Sequence, residues 1–473
     1  MTGWEPVVGL EIHVQLKTRT KMFCSCANVW GRPENTLTCP VCLAHPGTLP
    51  VPNRNALEWT IKLGLALGCE IADRALFHRK NYFYPDLPKG YQISQYDEPL
   101  CARGRFLVPG SDGDREVGIV RAHLEEDAAK TVHVGGAAGR IAGAARSLVD
   151  FNRGGAPLVE IVTEPDIHSP EEARRFLQLL RQTVIELGIS DAEMERGSLR
   201  CDANVSVRPV GDGGLRTKTE LKNMNSFKFV ADGIAAEVER QVGVYERGGE
   251  VVQETLHFDP ATGVLSPLRT KEEAHDYRYF PEPDLVPVEP SRELVARLRA
   301  EIPELPAARI RRFESRYSLP LYDSEVLNAS PALAGLFERL MAAGAEPKAA
   351  SNVLMNQFAA TGVDPASVNA TELAQLIRER ERIPRGTFAE ALAASGEPGF
   401  SAEEHLREAA IADASELDPV IERILAANAT EVAAYRSGKQ GLLGYFVGQV
   451  MRETKGKANP RIVNERLRER LNA

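Results

Sequence analysis

The chain has 473 residues, 43% of them hydrophobic and 26% charged, with a formal net charge of -9 and a pI near 5.7. That length exceeds one compact core and implies two or three domains, while the acidic balance excludes a uniformly basic nucleic-acid binder but not a local basic patch. No apolar run is long enough to span a bilayer, and the N-terminus lacks a basic n-region and an apolar h-region. A cytoplasmic protein is therefore expected, its seven cysteines reduced or metal-bound rather than in disulfides.

Val7 to Leu16 alternates without a break. Val8, Leu10, Ile12, Val14 and Leu16 fall on one side, and Gly9, Glu11, His13 and Gln15 on the other. Period two over this length predicts a β-strand with one buried face. Glu11 and His13 then point the same way, as they would on a plain solvated face or in a site that binds a divalent metal or moves a proton. Recurrence on other strands is what separates these readings.

Cys24 and Cys26, then Cys39 and Cys42, form two close pairs joined by a short loop. Two thiolate pairs at this spacing can wrap one tetrahedral Zn²⁺ with no position left for water, so a structural clip is expected rather than a catalytic metal. Cys69, Cys101 and Cys201 stand alone and read as buried small hydrophobes. Asn53 to Gly68 carries apolar residues at helical spacing and ends at glycine. Phe77 to Gln92 is dense in aromatics and bases with no clean period; cations for phosphate and rings for stacking suit a nucleotide or a nucleic-acid end.

Val117 to Glu126 repeats the opening pattern, with Arg121, His123 and Glu125 on one face and Glu126 and Asp127 following. Glu160 interrupts the apolar run Leu158 to Val162, a costly burial unless a cation or metal satisfies it. Ser169-Pro170-Glu171-Glu172 reads as an N-cap, a proline at the first helical position and a capping box, for a helix running to about Leu187 with Gly188 as its stop. Two further strands carry Asp202, Asn204, Ser206 and Arg208 on one face, and Lys218, Glu220 and Lys222 on another. Several strands with acid, base and imidazole on one face predict a polar floor. Carboxylates for Mg²⁺ and cations for phosphate oxygens are the inventory of phosphoryl transfer.

Proline recurs through Pro281, Pro283, Pro287 and Pro290, where the first domain is expected to end. From Ser291 the pattern becomes helical, with a division near Ser395 to Phe400. The last segment, Tyr435 to Ala473, is locally basic, with a turn at Lys455-Gly456-Lys457-Ala458-Asn459-Pro460, and suits contact with a nucleic-acid backbone. There is no G-x-x-x-x-G-K-[ST] and no G-x-G-x-x-G between strand and helix, so ATP, if bound, is not held by a P-loop.

Val8–Val14, Arg79–Gln92, His123–Asp127, Asp150–Glu164, Gly197–Asn204, Glu220–Ser226, Asp276–Pro283 and Gly444–Pro460 together closely resemble the B subunits of the tRNA-dependent aspartyl/glutamyl amidotransferase, the GatCAB complex. The resemblance covers the whole chain. The archaeal E subunits carry a large insertion for which this chain has no room. The resemblance implies an α+β protein: a catalytic cradle related to the glutamine synthetase fold over 1–290, an all-α helical domain over 291–398, and a small YqeY-like, tRNA-binding tail over 399–473. It implies ATP-dependent phosphorylation of the side-chain carboxylate of Glu-tRNA(Gln) or Asp-tRNA(Asn). Amidation follows, with ammonia from a glutamine-hydrolysing amidase, the A subunit. The heterotrimer is completed by a small C subunit.

Resemblance and strand geometry together nominate Glu11, His13, Glu125 and Glu160 as catalytic Mg²⁺ ligands. Glu126, Asp202 and Glu220 are further candidates. Lys80, Arg200 and Lys222 are nominated for phosphate contacts, and Cys24, Cys26, Cys39 and Cys42 for structural Zn²⁺.

Overall fold

Alternation makes Trp4–Gln15 a strand, β1, with Val8, Leu10, Ile12 and Val14 at most 1% exposed. The computed structural model describes residues 3–136, 143–269, 277–409, 414–454, 458 and 460–472. Asp276, and Lys455, Gly456, Lys457 and Asn459 of the expected tail turn, lie outside the described residues. The chain falls into two units, Met1–Arg309 and Ile310–Ala473.

In the first unit the strands after β1 are β2 (Glu70–Ile71), β3 (His78–Asn81), β4 (Tyr91–Ser94), β5 (Cys101–Val108), β6 (Arg115–Glu126), β7 (Lys130–Val134) and β8 (Arg146–Asp150). They continue as β9 (Pro157–Thr163), β10 (Leu199–Pro209), β11 (Thr219–Lys222), β12 (Thr255–Asp259), β13 (Val264–Arg269) and β14 (Phe280–Pro281). Among the described residues, nine of them form one sheet in the order β13-β12-β11-β10-β1-β9-β6-β5-β2. β1 lies at its middle, antiparallel to β10 on one side and to β9 on the other. β14, β3 and β4 make a small three-stranded sheet, and β7 pairs with β8. The aromatic stretch Phe77 to Gln92, which has no period in the sequence, thus contains β3 and part of β4. Four-residue strands are too short to display one.

Helix α1 (Arg54–Ala66) is capped by Asn53, whose side chain accepts from the Asn55 and Ala56 N–H groups. It ends before Gly68, whose φ of +68° favours glycine and whose Cβ would lie 2.7 Å from the Arg105 carbonyl oxygen. Helix α2 (Pro170–Glu186) is capped by Ser169, which accepts from Glu172 N–H at 3.1 Å. The expected capping box is displaced by one residue: Glu172 takes the His168 N–H, at 2.7 Å, in place of that of Ser169. α2 packs on α3 (Phe227–Glu246), α3 on β10, and α1 on β5 and β6, so the helices cover the apolar side of the sheet. Cys69, Cys101 and Cys201 are buried there, as their isolation in the sequence implies.

The named elements of the second unit are all helices. This unit contains two apolar clusters, one centred on Leu336, Phe337, Leu354 and Phe388, the other on Leu417, Ile421, Phe446 and Leu467. Among the described residues no helix is long and apolar enough to cross a membrane.

Candidate active site and four-cysteine cluster

Strand register lines up one side chain from each of four neighbouring strands. Arg200 of β10 stands opposite His13 of β1, His13 opposite Glu160 of β9, and Glu160 opposite His123 of β6. Residues directly opposite share a face, so these four form one rung across the polar side of the sheet. Glu125 lies two residues past His123 on that face, and Glu11 opposite Asp202 forms part of the next rung.

The rung converges. His13 Nε2 is 3.4 Å from Glu160 Oε2 and 3.8 Å from Glu125 Oε1. Among the described residues, one donor atom from each of His13, Glu125 and Glu160 lies within 4.8 Å of the others, a spacing one cation can bridge. His123, buried at 3% exposure, faces the same two carboxylates at 3.7 and 3.8 Å. Burial works against ionisation of Glu160, but the imidazoles of His123 and His13 and the Lys80 ammonium outweigh it and hold the carboxyl well below its usual range. Burial would lower His13, yet the hydrogen bond and charge of Glu160, with Glu125 adding, raise it. Two carboxylates and an imidazole with donor atoms this close are a suitable donor set for a divalent cation.

The site lines a cavity of about 600 Å³, whose rim includes Tyr96 stacked on Tyr279 with ring centroids 4.3 Å apart. Lys80, Arg200 and Lys222 all line it. Lys80 stands 4.8 Å from the Tyr277 ring centroid. Arg200 donates to Asp127 Oδ2 at 2.9 Å, and Lys222 pairs with Asp202 and, at 3.3 Å, with Glu220. Burial alone would lower Lys222; these two carboxylates outweigh it and raise it. Glu11 accepts from Asn204 at 2.9 Å, and Glu220 from Thr255 at 2.9 Å.

Glu11, Asp202 and Glu220 line the cavity outside the three-residue cluster, whereas the nominated Glu126 does not line it at all. Adjacent strand residues face opposite ways, so Glu126 turns from Glu125, pairs with Lys89 and accepts the Ile93 N–H at 2.9 Å. It lines a smaller cavity of about 160 Å³ together with Lys21, Cys24, Cys42 and Gly155. There the four sulfurs of Cys24, Cys26, Cys39 and Cys42 lie within 4.8 Å of one another, a donor set that fits a tetrahedral zinc thiolate site. Cys24 and Cys42 share a hydrogen bond that raises Cys24 and lowers Cys42 to about 4, with the Lys21 ammonium assisting. Burial pushes Cys26 up to about 11. The intervening loop is tied down: Asn35 N–H donates to Asp150 at 3.0 Å, and Leu37 N–H to Asn152 at 2.7 Å.

Residues 6–296 match the model of the GatB/GatE catalytic domain, and residues 335–471 match that of the GatB domain. The chain belongs to the GatB family. It is 48% identical to a relative from Geotalea daltonii, with 99% of each chain covered. Identity is also 48% to one from Moorella thermoacetica, over 99% of this chain and all of the relative, and 47% to one from Chlorobium luteolum, over 99% of each. All three relatives are named as the B subunit of an aspartyl/glutamyl-tRNA(Asn/Gln) amidotransferase.

In this GatB-family chain several cavity residues escape a reading of the sequence alone. Ser94 donates to Glu125 Oε2 at 3.0 Å, Asp127 binds Arg200, and Gln95 and Tyr96 line the cavity. Ser94, Gln95 and Tyr96 sit at or just after the four-residue strand β4, where no hydrophobic period marks them. Asp127 follows Glu126 in an acidic run whose members cannot be sorted without the strand's end.

Proposed function

We propose that this chain activates the side-chain carboxylate of glutamate or aspartate esterified to tRNA(Gln) or tRNA(Asn), and then directs its amidation. The observation that carries this reading is the His13–Glu125–Glu160 cluster opening on the cavity that Lys80, Arg200 and Lys222 also line. The names of the relatives support the substrate. A carboxylate is a poor acyl donor, so it must first be made into a mixed anhydride. One carboxylate oxygen attacks the γ-phosphorus of ATP while the bond to the ADP oxygen breaks. Ammonia nitrogen then attacks the acyl carbon, phosphate departs with the electrons of the acyl C–O bond, and the amide forms with loss of a proton.

His13, Glu125 and Glu160 would hold Mg²⁺, with Glu11, Asp202 and Glu220 available to a further ion; Glu126, on the other face, is left out of this set. The bound ion supplies neutralisation of charge on the phosphate oxygens. Lys80, Arg200 and Lys222 bind those oxygens as fixed cations, the latter two held in orientation by Asp127 and Asp202. His123 and Ser94 keep the two acidic ligands aligned, since an aligned donor set needs no reorganisation when the nucleotide arrives.

On this reading residues 1–290, which lie within the first unit, form a cradle of the glutamine synthetase type, followed by a helical domain over 291–398 and a tail over 399–473. The two separate apolar clusters of the second unit support a division in this region, between Leu406, which packs on the first, and Leu417, which belongs to the second. The four cysteines hold Zn²⁺ as a clip on the loop after β1. Ammonia comes from an amidase, the A subunit of a cytoplasmic heterotrimer whose third member is a small C subunit; the basic helical tail contacts tRNA. The test is ATP- and tRNA-dependent conversion of Glu-tRNA(Gln) to Gln-tRNA(Gln) by the reconstituted complex. Glu125→Ala abolishes phosphorylation and leaves tRNA binding intact; full activity in that variant rejects the metal assignment.

A further inference from the structure

Gln95 follows β4 and lines the large cavity, although only 2% of it is exposed. Its Oε1 accepts two backbone N–H groups, from Leu100 at 3.3 Å and Leu124 at 3.1 Å. A backbone N–H can only donate. Exchanging the amide's oxygen and nitrogen would set its NH₂ against two donors, so the orientation of the group is fixed. Nε2 is then left as a donor of two hydrogens. It is buried and has no hydrogen-bond partner among the described residues. Buried side-chain donors are nearly always satisfied.

The surroundings say what would satisfy this one. Ser94, the preceding residue, donates to Glu125, and Leu124, which anchors the Gln95 oxygen, directly precedes Glu125 in β6. Gln95 lines the same cavity as Glu125 and Glu160, and its amide hydrogens are paired with neither carboxylate. A ligand oxygen is the matching acceptor, because an amide NH₂ cannot pair with another donor.

We propose that Gln95 is a specificity-determining residue whose Nε2–H binds an anionic oxygen of the ligand in this cavity, on the substrate's side-chain carboxylate or on a phosphate of ATP. The inference rests on the functional reading above. A neutral donor adds no long-range attraction. It acts by direction, and penalises a ligand that fails to place an acceptor at that point.

Two substitutions separate recognition from structure. Gln95→Glu keeps an oxygen toward Leu100 and Leu124 but turns the donor into an acceptor; Gln95→Leu removes both. In the reconstituted complex, Gln95→Glu raises KM for either ATP or the aminoacyl-tRNA on the order of 10-fold and leaves the other within about 2-fold. The ligand affected identifies the oxygen. Gln95→Leu gives the same KM change with a lower melting temperature. Unchanged KM values in Gln95→Glu overturn the proposal, and so does an equal rise for both anionic ligands, which is the signature of added negative charge acting at range. Failure of the unaltered complex to use ATP and tRNA is a different result, and overturns the functional reading itself.

Discussion

His13 and Glu160 stand directly opposite one another on β1 and β9, with Nε2 and Oε2 3.4 Å apart. Seven strands separate them in sequence, yet each sets the protonation of the other: Glu160 raises His13, and His13 helps lower Glu160. The pair favours an ionised Glu160 and a protonated His13, so a cation that took the His13 nitrogen would have to displace its proton.

Replacing Glu160 with glutamine keeps its shape and removes the charge. We expect the divalent-cation affinity of the complex to fall at least roughly 10-fold, and ATP-dependent carboxylate phosphorylation to fall with it, while tRNA binding persists. Calorimetric titration of Mg²⁺ and a phosphorylation assay read the two effects; unchanged affinity contradicts the ligand assignment.

The same pair makes the stability of the metal-free protein depend on pH. His13 has its folded pKa raised above 6.5, so its contribution is full below that value and is lost as pH rises through the folded pKa. Glu160 is depressed below 4.5, so its contribution is present above that value and is lost as pH falls through the folded pKa. Both operate together between about pH 4.5 and 6.5. In chelator, the melting-temperature gap between the unaltered chain and His13→Gln should be widest in that window and narrow as pH climbs. A pH-independent gap contradicts the coupling.

Zinc content is a direct check on the cysteine cluster. Elemental analysis should find about one zinc per chain, as the closed four-thiolate set requires. Chelation, or Cys42→Ser, should lower the melting temperature and expose the loop between the cysteine pairs to proteases. Purified protein with no zinc and freely titrating Cys24, Cys26, Cys39 and Cys42 would reject the clip.

Glu237, fully buried on α3, accepts from Thr219 of β11, from Gln241 and from both arms of the Arg240 fork, each at 2.7 Å. Glu237→Ala removes the shared acceptor. Arg240 is 33% exposed and keeps part of its hydration, which holds the expected loss to about 2 kcal/mol. Denaturant unfolding of the variant measures it, and a loss near zero would mean that the Glu237 acceptor does not hold α3 to the sheet.

Much of the site was legible in the sequence because strands have period two. β1, β6 and β10 declare their faces, and with them Glu11, His13, Glu125 and Asp202, while Glu160 of β9 stands out as a lone acid in an apolar run. The same rule, applied one residue further, already separates Glu126 from Glu125. What the sequence withholds is pairing at long range. Arg79 forks onto Glu282, 203 residues away, and Arg200 and Lys222, nominated for phosphate contacts, stand in ion pairs with Asp127 and Asp202. Short elements hide as well: β3 and β4 are too brief to carry a pattern, which is why Ser94 and Gln95 were not singled out.

The rung from Arg200 to His123 also behaves like a reading frame. Its members meet because four strands share one register, and a strand presents alternate residues to each side. Lengthening a loop between these strands leaves the frame intact. Inserting a single residue into β9 ahead of Glu160 would bring a hydrophobic neighbour into its place and turn the acid to the opposite side. Variation that preserves this chemistry should therefore be free in length between the strands and confined to substitution within them, a pattern that a library of one-residue insertions along the first unit would expose.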